Sequence, residues 1–290
     1  MQTVLITGST GALGRAVIKN LQKNGDCRIV ATSRNCEDDN FKLDVRNIEQ
    51  LTAIINRTKP DLILHLAATF ENEFKEAYAT NVEATRRLLE VVQQSGLNSR
   101  VLLIGSAAEY GVVKPEENPI LEEHVLKPVT IYGLSKAWQT QLAVFFASRG
   151  VDVVVARVFN LDGAGLSERL FIGRLQKQIG EVLAGLKSVI ELGSLTATRD
   201  YISTDDAAEQ ILLIAEHAES GRVCHVASGI PVTMSELLMR YLKIYRIDAS
   251  KVHVASELTN HIGYDVPVIY ADVTNTMQIM EHRRAEIVKT

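Results

Sequence analysis

Three residues near the middle of the chain have types and spacing suited to moving a proton at a carbonyl group. Tyr132-Gly133-Leu134-Ser135-Lys136 sets a phenol and an ammonium four residues apart. At a helix start this puts both on one face, one turn apart. A cation beside a phenol favours the phenolate, so the pair predicts a Tyr132 whose pKa is lowered by Lys136. Such a phenol can protonate a developing alkoxide while hydride arrives from a cofactor. Y-x-x-x-K also arises by chance, and the bland alternative is a pair on a helix surface. Gly105-Ser106-Ala107-Ala108-Glu109-Tyr110-Gly111 adds the third group. Ser106 stands at the tip of an apolar strand, where its hydroxyl can hydrogen-bond a substrate carbonyl.

The start of the chain offers a place for the hydride donor. Val4-Leu5-Ile6 reads as a buried strand, Gly8, Gly11 and Gly14 follow, and helical spacing begins at Ala12. Strand, glycine turn and helix form the opening of a dinucleotide-binding unit. The glycines let backbone N–H groups approach a pyrophosphate, and the helix N-terminus adds partial positive charge. The spacing is G-x-x-G-x-x-G, and a glycine turn without a ligand would look the same. The second strand ends Ala31-Thr32-Ser33-Arg34-Asn35, with no acid at the tip. An acid there favours NAD, whereas a basic residue accommodates the 2′-phosphate of NADP. Arg34 can pair with phosphate and stack on adenine, and Ser33 can donate a hydrogen bond. A solvated loop arginine is the other reading. Asp44 could meet the adenine amino group or cap the next helix.

These groups need a scaffold, and the apolar pattern supplies one. Continuous apolar runs at 4–7, 28–32, 62–66, 101–105 and 151–157 alternate with amphipathic stretches at 12–23, 48–57, 72–95 and 135–148. Runs apolar on both faces are strands of a covered parallel sheet. The order predicts an α/β fold, a Rossmann-type doubly wound parallel sheet. After Asn160 the texture changes to a glycine-bearing loop at 161–169, helices at 170–184, 205–218 and 234–245, and short strands at 189–192 and 224–227. Thr204 or Asp205 is the expected cap of the second of these helices. This reads as a smaller mixed α/β C-terminal substrate lobe. The expected division is 1–160 for the NADP-binding Rossmann domain and 161–290 for the substrate lobe, with a possible return to the sheet near 195–230.

Composition excludes several classes. With 31 Lys+Arg against 35 Asp+Glu the net charge is −4 and no basic block occurs, which argues against a nucleic-acid polymer as partner. No run of 18 apolar residues is present, so no membrane partner is expected. The first strand begins at once, so no signal peptide is expected. Cys27, Cys36 and Cys224 are an odd number without metal-like spacing, which fits reduced thiols in a cytoplasm and no metal.

Along essentially its whole length the chain resembles the extended short-chain dehydrogenase/reductases of the nucleotide-sugar-modifying branch. The resemblance rests on Thr7-Gly8-x-x-Gly11-x-x-Gly14, His65-Leu66-Ala67-Ala68, Thr80-Asn81-Val82, Ser106 ahead of Tyr110-Gly111, and Tyr132-x-x-x-Lys136. It continues in Arg157-Val158-Phe159-Asn160 and Arg199-Asp200-Tyr201-Ile202-x-x-Asp205-Asp206. It implies a catalytic set of Ser106, Tyr132 and Lys136. It further implies cofactor contacts from Gly8, Thr10, Gly11, Ala12, Leu13, Gly14, Ser33, Arg34, Asp44, Val45, Leu66, Ala67, Ala68 and Asn81, besides Tyr132 and Lys136. Substrate contacts would come from Ser106, Ala107, Ala108, Asn160 and Arg199. Asn160 matches the residue that meets the sugar nucleotide, and Arg199 the one that approaches its diphosphate. An ion pair with a nearby acid is the other reading of Arg199.

The same resemblance bears on the reaction. Nucleotide-sugar 4,6-dehydratases carry acids two and three residues before the tyrosine of the Y-G motif, where this chain has Ala108 and Ala107. A 4-epimerase would hold NAD and show an acid after the second strand. What remains is reduction, with NADP(H), of the C4 keto group of a nucleotide-linked 4-keto-6-deoxy sugar, a step of deoxysugar and surface polysaccharide biosynthesis. Asp265-Val266-Pro267-Val268-Ile269-Tyr270-Ala271-Asp272 resembles the D-V-P-V-x-x-x-D segment of the GDP-4-keto-6-deoxy-D-mannose reductases, which form GDP-D-rhamnose. Ile262-Gly263-Tyr264 and 161–166 depart from that pattern, and Arg283-Arg284 is a basic pair in the last helix. An NAD-dependent 4-epimerase and a non-catalytic NADP-binding regulatory protein are the alternatives. The broad apolar arc of the helix carrying Tyr132, with Trp138, Leu142, Phe145 and Phe146, together with the resemblance, predicts a homodimer.

Overall fold

A computed structural model describes residues 1–25, 27–36, 38, 41–255 and 266–287, without the side chains of 24 and 282–287. Asp265, the segment Ile262-Gly263-Tyr264 and the side chains of Arg283 and Arg284 lie outside the described residues.

Six parallel strands form the large sheet: β1 (Gln2–Thr7), β2 (Cys27–Thr32), β3 (Leu62–His65), β4 (Arg100–Ser106), β5 (Val153–Val158) and β9 (Val223–Val226). Their order is β2-β1-β3-β4-β5-β9. Chain order reverses between β1 and β3, so the crevice at their carboxyl ends is the ligand position of such sheets. A single parallel bridge, Ser33 to Lys42, continues the sheet outside β2.

Alternation along the strands sorts side chains to two covered faces. Val4, Ile6, Leu64 and Val154 pack with α1 (Ala12–Asn24) and α7 (Thr204–His217). Leu5, Ile63, Leu103 and Val155 pack with α2 (Ile48–Thr58), α4 (Ala84–Ser95) and α5 (Ile131–Ala147). The parallel sheet and its helices thus match the expected doubly wound fold.

Several boundaries differ from the apolar pattern. The expected helix at 72–95 starts at Phe74 as α3 (Phe74–Ala77), because the Glu73 carboxylate accepts from the N–H groups of Lys75 and Glu76. It then widens into a π-helical turn, Tyr78–Glu83, before α4. Helix α5 begins four residues earlier than 135, since Thr130 caps it by accepting from Gly133 N at 2.9 Å. The cap of α7 is Ser203, not Thr204 or Asp205, through Asp206 N at 3.0 Å.

The second lobe holds α6 (Phe171–Leu183), β7 (Ile190–Leu192) and α8 (Met234–Tyr245) around Leu175, Ile179, Leu192, Leu238 and Tyr241. Within 161–169, expected as loop, Leu161 and Asp162 belong to β6 (Asn160–Asp162), which pairs with β8 (Thr198–Ser203). Strand β8 also carries β10 (Pro231–Thr233) and β12 (Val268–Ile269), and β11 (Val252–Val254) pairs with β7. Between these pieces, α7 and β9 return to the large sheet, and α9 (Thr274–Ile287) packs on both.

Candidate active site

The glycine turn lies between β1 and α1. Gly8 adopts φ +72°, and a Cβ there would come within 2.7 Å of Ala67 N, so the turn lies directly on the chain leaving β3. A Cβ on Gly14 would come within 2.5 Å of Gly8 O, which lets α1 start tight against the turn. Gly11 differs: it is exposed, and its Cβ would meet nothing closer than Gly8 O at 3.4 Å. Gly11 is also the N-cap of α1, with no side chain capping it and no acid in the first turn. A helix start left with bare N–H donors and an open approach suits a pyrophosphate. The residues therefore fit the dinucleotide that the sequence implies. Thr10 is exposed beside the turn, and Ala12 and Leu13 are half-buried in its first helical residues. Leu66 and Ala67 line the same crevice half-buried, with Ala68 exposed.

At the tip of β2, Ser33 is buried while Arg34 is exposed. Asp44 is bound by Arg46 at 2.7 Å, and the Arg46 hydrogen bond holds its carboxyl below the usual range, with Arg34 adding a smaller contribution. Its carboxylate is thus engaged by Arg46, and Asn47, not Asp44, caps α2. Val45 is buried against the α2 face.

Ser106, at the end of β4, and Tyr132, in the first turn of α5, lie within reach of each other at the carboxyl edge of the sheet, and the Ser106 hydroxyl acts on the proton affinity of the phenol. Gly133 makes this approach possible: a Cβ there would sit 2.4 Å from Ala108 O, so α5 starts pressed onto the turn that follows β4. That turn, Ala107–Glu109, is capped by Ser106 Oγ, which accepts from Ala108 N at 3.2 Å. Burial pushes the Tyr132 phenol up to about 12; the Ser106 hydrogen bond opposes this, and the charge of Glu109 adds to it. Lys136 is 1% exposed and donates to Gln139 Oε1. Its pKa is lowered to about 8 by burial, opposed by Glu109. The expected lowering of the phenol by Lys136 is therefore not seen: burial outweighs any help from a lysine that bonds to Gln139.

Glu109 is the acid nearest the serine, and it is entirely buried. One oxygen accepts from Ser106 N at 2.7 Å. The other accepts from Thr140 Oγ1 at 2.8 Å and from Arg157 Nη2 at 2.9 Å. It is held beneath the serine, while the half-buried Ala107 and Ala108 line the turn. Arg157 also donates to Tyr110 Oη at 2.7 Å and Glu122 O at 3.0 Å. Sequence reasoning named neither Glu109 nor Arg157 as a joint; the signal was two opposite charges flanking apolar strand ends.

On the substrate side, Asn160 Nδ2 donates to Asp200 O at 3.2 Å. Arg199 is half-buried and donates to Thr198 O at 2.9 Å and Val266 O at 2.5 Å. Asp200, whose carbonyl holds Asn160, is fully buried and ties Ser228, Gly229 and Ala271 together by accepting from their N–H groups. Asn81 is buried and bonds Thr69 and Ser135. Among the described residues no group of His, Cys, Asp and Glu could hold a metal. No described helix is long and apolar enough to cross a membrane.

The family model for the NAD dependent epimerase/dehydratase family matches residues 4–227. The chain belongs to this family, within the nucleotide-sugar-modifying branch of the extended short-chain dehydrogenase/reductases. It is 30% identical over 196 residues to a GDP-6-deoxy-D-mannose reductase of Pseudomonas aeruginosa, covering 65% of this chain and 64% of that relative, just under two thirds of its length. It is 27% identical over 249 residues to a GDP-6-deoxy-D-talose 4-dehydrogenase of Aggregatibacter actinomycetemcomitans, covering 83% and 79%. Among solved structures, MoeE5 in complex with UDP-glucuronic acid and NAD superposes with a TM-score of 0.81 at 26% identity, covering 96% and 92%. RMD from Pseudomonas aeruginosa complexed with NADPH gives 0.83 at 22% identity, covering 97% and 91%, a likeness of fold.

Removing one partner of a buried ion pair leaves the other charge uncompensated, at a cost of about 3–5 kcal/mol. Glu109→Ala should lose stability on that order in urea denaturation. A loss below about 1 kcal/mol, the level of an exposed pair, would show that the pair does not hold the site together.

Proposed function

We propose that the chain reduces the C4 keto group of a nucleotide-linked 4-keto-6-deoxy sugar with NADPH. One observation carries the reading. Ser106 and Tyr132 lie within reach of each other at the carboxyl end of β4, and the residues after the serine are alanines, which cannot move the proton an elimination requires. The named likeness to a GDP-6-deoxy-D-mannose reductase supports the same direction.

NADPH supplies hydride to a carbonyl carbon when bound. The chain does the rest. Ser106 donates a hydrogen bond to the carbonyl oxygen and Tyr132 gives up its proton to the oxygen as charge develops. A phenol pushed up to about 12 stays protonated at neutral pH, ready to donate. Lys136, protonated below about 8, holds positive charge in the same buried region, where it orients the ribose and steadies the phenolate left behind. Glycines 8, 11 and 14 with residues 10, 12 and 13 seat the pyrophosphate. Ser33 and the exposed Arg34 take the 2′-phosphate, while 44 and 45 border the adenine. Leu66, Ala67, Ala68 and Asn81 shape the wall behind the nicotinamide. Asn160, at the end of the first unit, and Arg199 of the second lobe face the sugar nucleotide. This division gives 1–160 the cofactor and catalytic groups together with the substrate contacts of Ser106, Ala107, Ala108 and Asn160, and 161–290 the further substrate contacts, with 204–226 serving the sheet. We place the enzyme in the cytoplasm, consistent with three cysteines, an odd number without metal-like spacing.

We also propose a homodimer. Phe74 and Tyr78 stack, Trp138 meets both edge-on, and the three are 37–51% exposed, while Val144 and Phe145 on α5 are 44% and 48% exposed. A second copy covering this face would remove that apolar area from water.

Three experiments test these readings. Tyr132→Phe should cut NADPH oxidation with 4-keto sugar nucleotides by about 100-fold or more while NADPH binding is retained. Unchanged turnover would remove Tyr132 from the chemistry, and a wild-type chain inert toward GDP-, dTDP-, UDP- and CDP-linked 4-keto sugars would favour a regulatory binder. Arg34→Asp should invert the preference between NADPH and NADH in a fluorescence titration. An unaltered ratio would assign the 2′-phosphate elsewhere, and NAD retained through purification would favour an epimerase. Trp138→Asp should halve the mass measured by light scattering at unchanged helicity; a wild-type monomer would refute the dimer.

A further inference from the structure

The chain leaving β3 crosses the mouth of the site with its backbone pinned. Asn81 Oδ1 accepts from Thr69 N at 2.9 Å, and its amide nitrogen donates to Thr69 O at 3.0 Å and to Ser135 Oγ at 2.9 Å. Two residues on, Glu71 is bound by Arg169 of the second lobe at 2.6 Å. Between these ties lies Phe70. Its ring centroid is 4.8 Å from that of Tyr132, tilted by 39°, and 40% of the residue faces solvent. An aromatic ring held open to water beside the reacting phenol gains burial when a ligand covers it.

We propose that Phe70 is a specificity-determining residue that selects a methyl group over a hydroxymethyl group on the carbon next to the reacting carbonyl. This rests on the reading of Tyr132 as proton donor to a 4-keto sugar. The carbonyl oxygen must come within hydrogen-bond reach of Tyr132 and Ser106. A ring in contact with the Tyr132 ring then meets a group one or two bonds from the carbonyl carbon. Of the two carbons that flank C4 in such a pyranose, C3 bears a hydroxyl and C5 bears carbon 6. Phe70 has no hydrogen-bonding group to offer either. Thr69 Oγ1 already accepts from Glu71 N at 3.2 Å, and Glu71 Oε1 holds Arg169. A hydroxyl pressed against the Phe70 ring would be stripped of water without a partner from that ring, whereas a methyl is buried at no such cost. The ring therefore faces carbon 6, and it favours carbon 6 as a methyl.

The test pairs ligands that differ only by the C6 oxygen: GDP-6-deoxy-D-mannose against GDP-D-mannose, and dTDP-6-deoxy-D-glucose against dTDP-D-glucose. Each is titrated by calorimetry into the full chain loaded with NADP+, as wild type, Phe70→Leu and Phe70→Ala, with thermal unfolding as a check on folding. Wild type should bind the 6-deoxy member of at least one pair about tenfold more tightly. Phe70→Leu should keep most of that preference and Phe70→Ala should erase it by weakening the 6-deoxy member alone. Equal affinities in wild type, an equal loss for both members in Phe70→Ala, or binding of neither pair would overturn the assignment. NADPH oxidation with the matching 4-keto sugars separates the two readings. Preference without turnover retains Phe70 and rejects the reductase; turnover without preference does the reverse.

Discussion

The site depends on one buried charge pair. Glu109 and Arg157 lie 2.9 Å apart with almost no exposure, and between them they touch each element that carries a candidate catalytic group. Glu109 takes the N–H of Ser106 at the end of β4 and the hydroxyl of Thr140 on α5. Arg157 lies on β5, three residues before Asn160, and holds Tyr110 and the carbonyl of Glu122. A pair so buried adds little net stability by itself, because both charges have been taken from water. Its effect is on geometry: with each hydrogen bond satisfied, alternative packings of the turn at 107–109 would strand a charge. The hydroxyls of Ser106 and Tyr132 are thereby fixed relative to each other by atoms that touch neither.

Polar ties of this kind recur around the crevice. Asp200, fully buried, gathers the N–H groups of Ser228, Gly229 and Ala271 and so binds the edges of the second lobe to one point. Asn81 joins the π-helical turn to the β3 loop and to α5. The wider turn at Tyr78–Glu83 places Asn81 within the interior rather than on the surface. Asp200 is a charge and Asn81 an amide, and each is buried with partners to match, the condition under which such groups are tolerated. The apolar clusters on the two faces of the sheet determine where the helices lie; these polar ties determine where the loops between them end.

The fold was legible because its signals are repetitive. Five apolar runs and the helical stretches between them point to a covered parallel sheet almost independently of detail, whereas the sixth strand, β9, lies within the stretch read as the second lobe with a possible return to the sheet, and only the structure gives the strand order. The glycine turn was legible because sterics at Gly8 and Gly14 leave no other residue type. What the pattern hid was decided at long range. Strands β6, β8, β10 and β12 are two to six residues long, and none carries enough apolar alternation to be seen before its partner is known. The starts of α3 and α5 turned on single side chains, Glu73 and Thr130, whose capping role depends on backbone geometry. At the site, the five-residue motif led to the expectation of a phenol lowered by Lys136, and burial sets the opposite direction. Four residues of helix place Lys136 one turn beyond Tyr132, but burial and Gln139 set the proton affinities, and neither is visible in a five-residue motif.

That misjudgment clarifies the division of labour in the reductase reading. A reduction needs a proton donor that is still protonated when the alkoxide forms, so a phenol pushed up to about 12 is better suited at neutral pH than one pulled down. Burial supplies most of this, the charge of Glu109 adds to it, and the Ser106 hydroxyl limits how far it goes. Lys136 is then free of the task of lowering the phenol in the resting protein. Held near 8 by the same burial, it keeps its charge at neutral pH for the moment when the phenolate appears. Glu109 supports that charge from beneath, since its carboxylate opposes the loss of the lysine proton while also favouring the neutral phenol. One buried acid thus biases both groups toward the protonation states a ketone reduction begins from. The positions where a dehydratase carries its elimination acids are alanines in this chain, and the acid one residue further on, Glu109, is turned into the interior, where it favours the protonated donor.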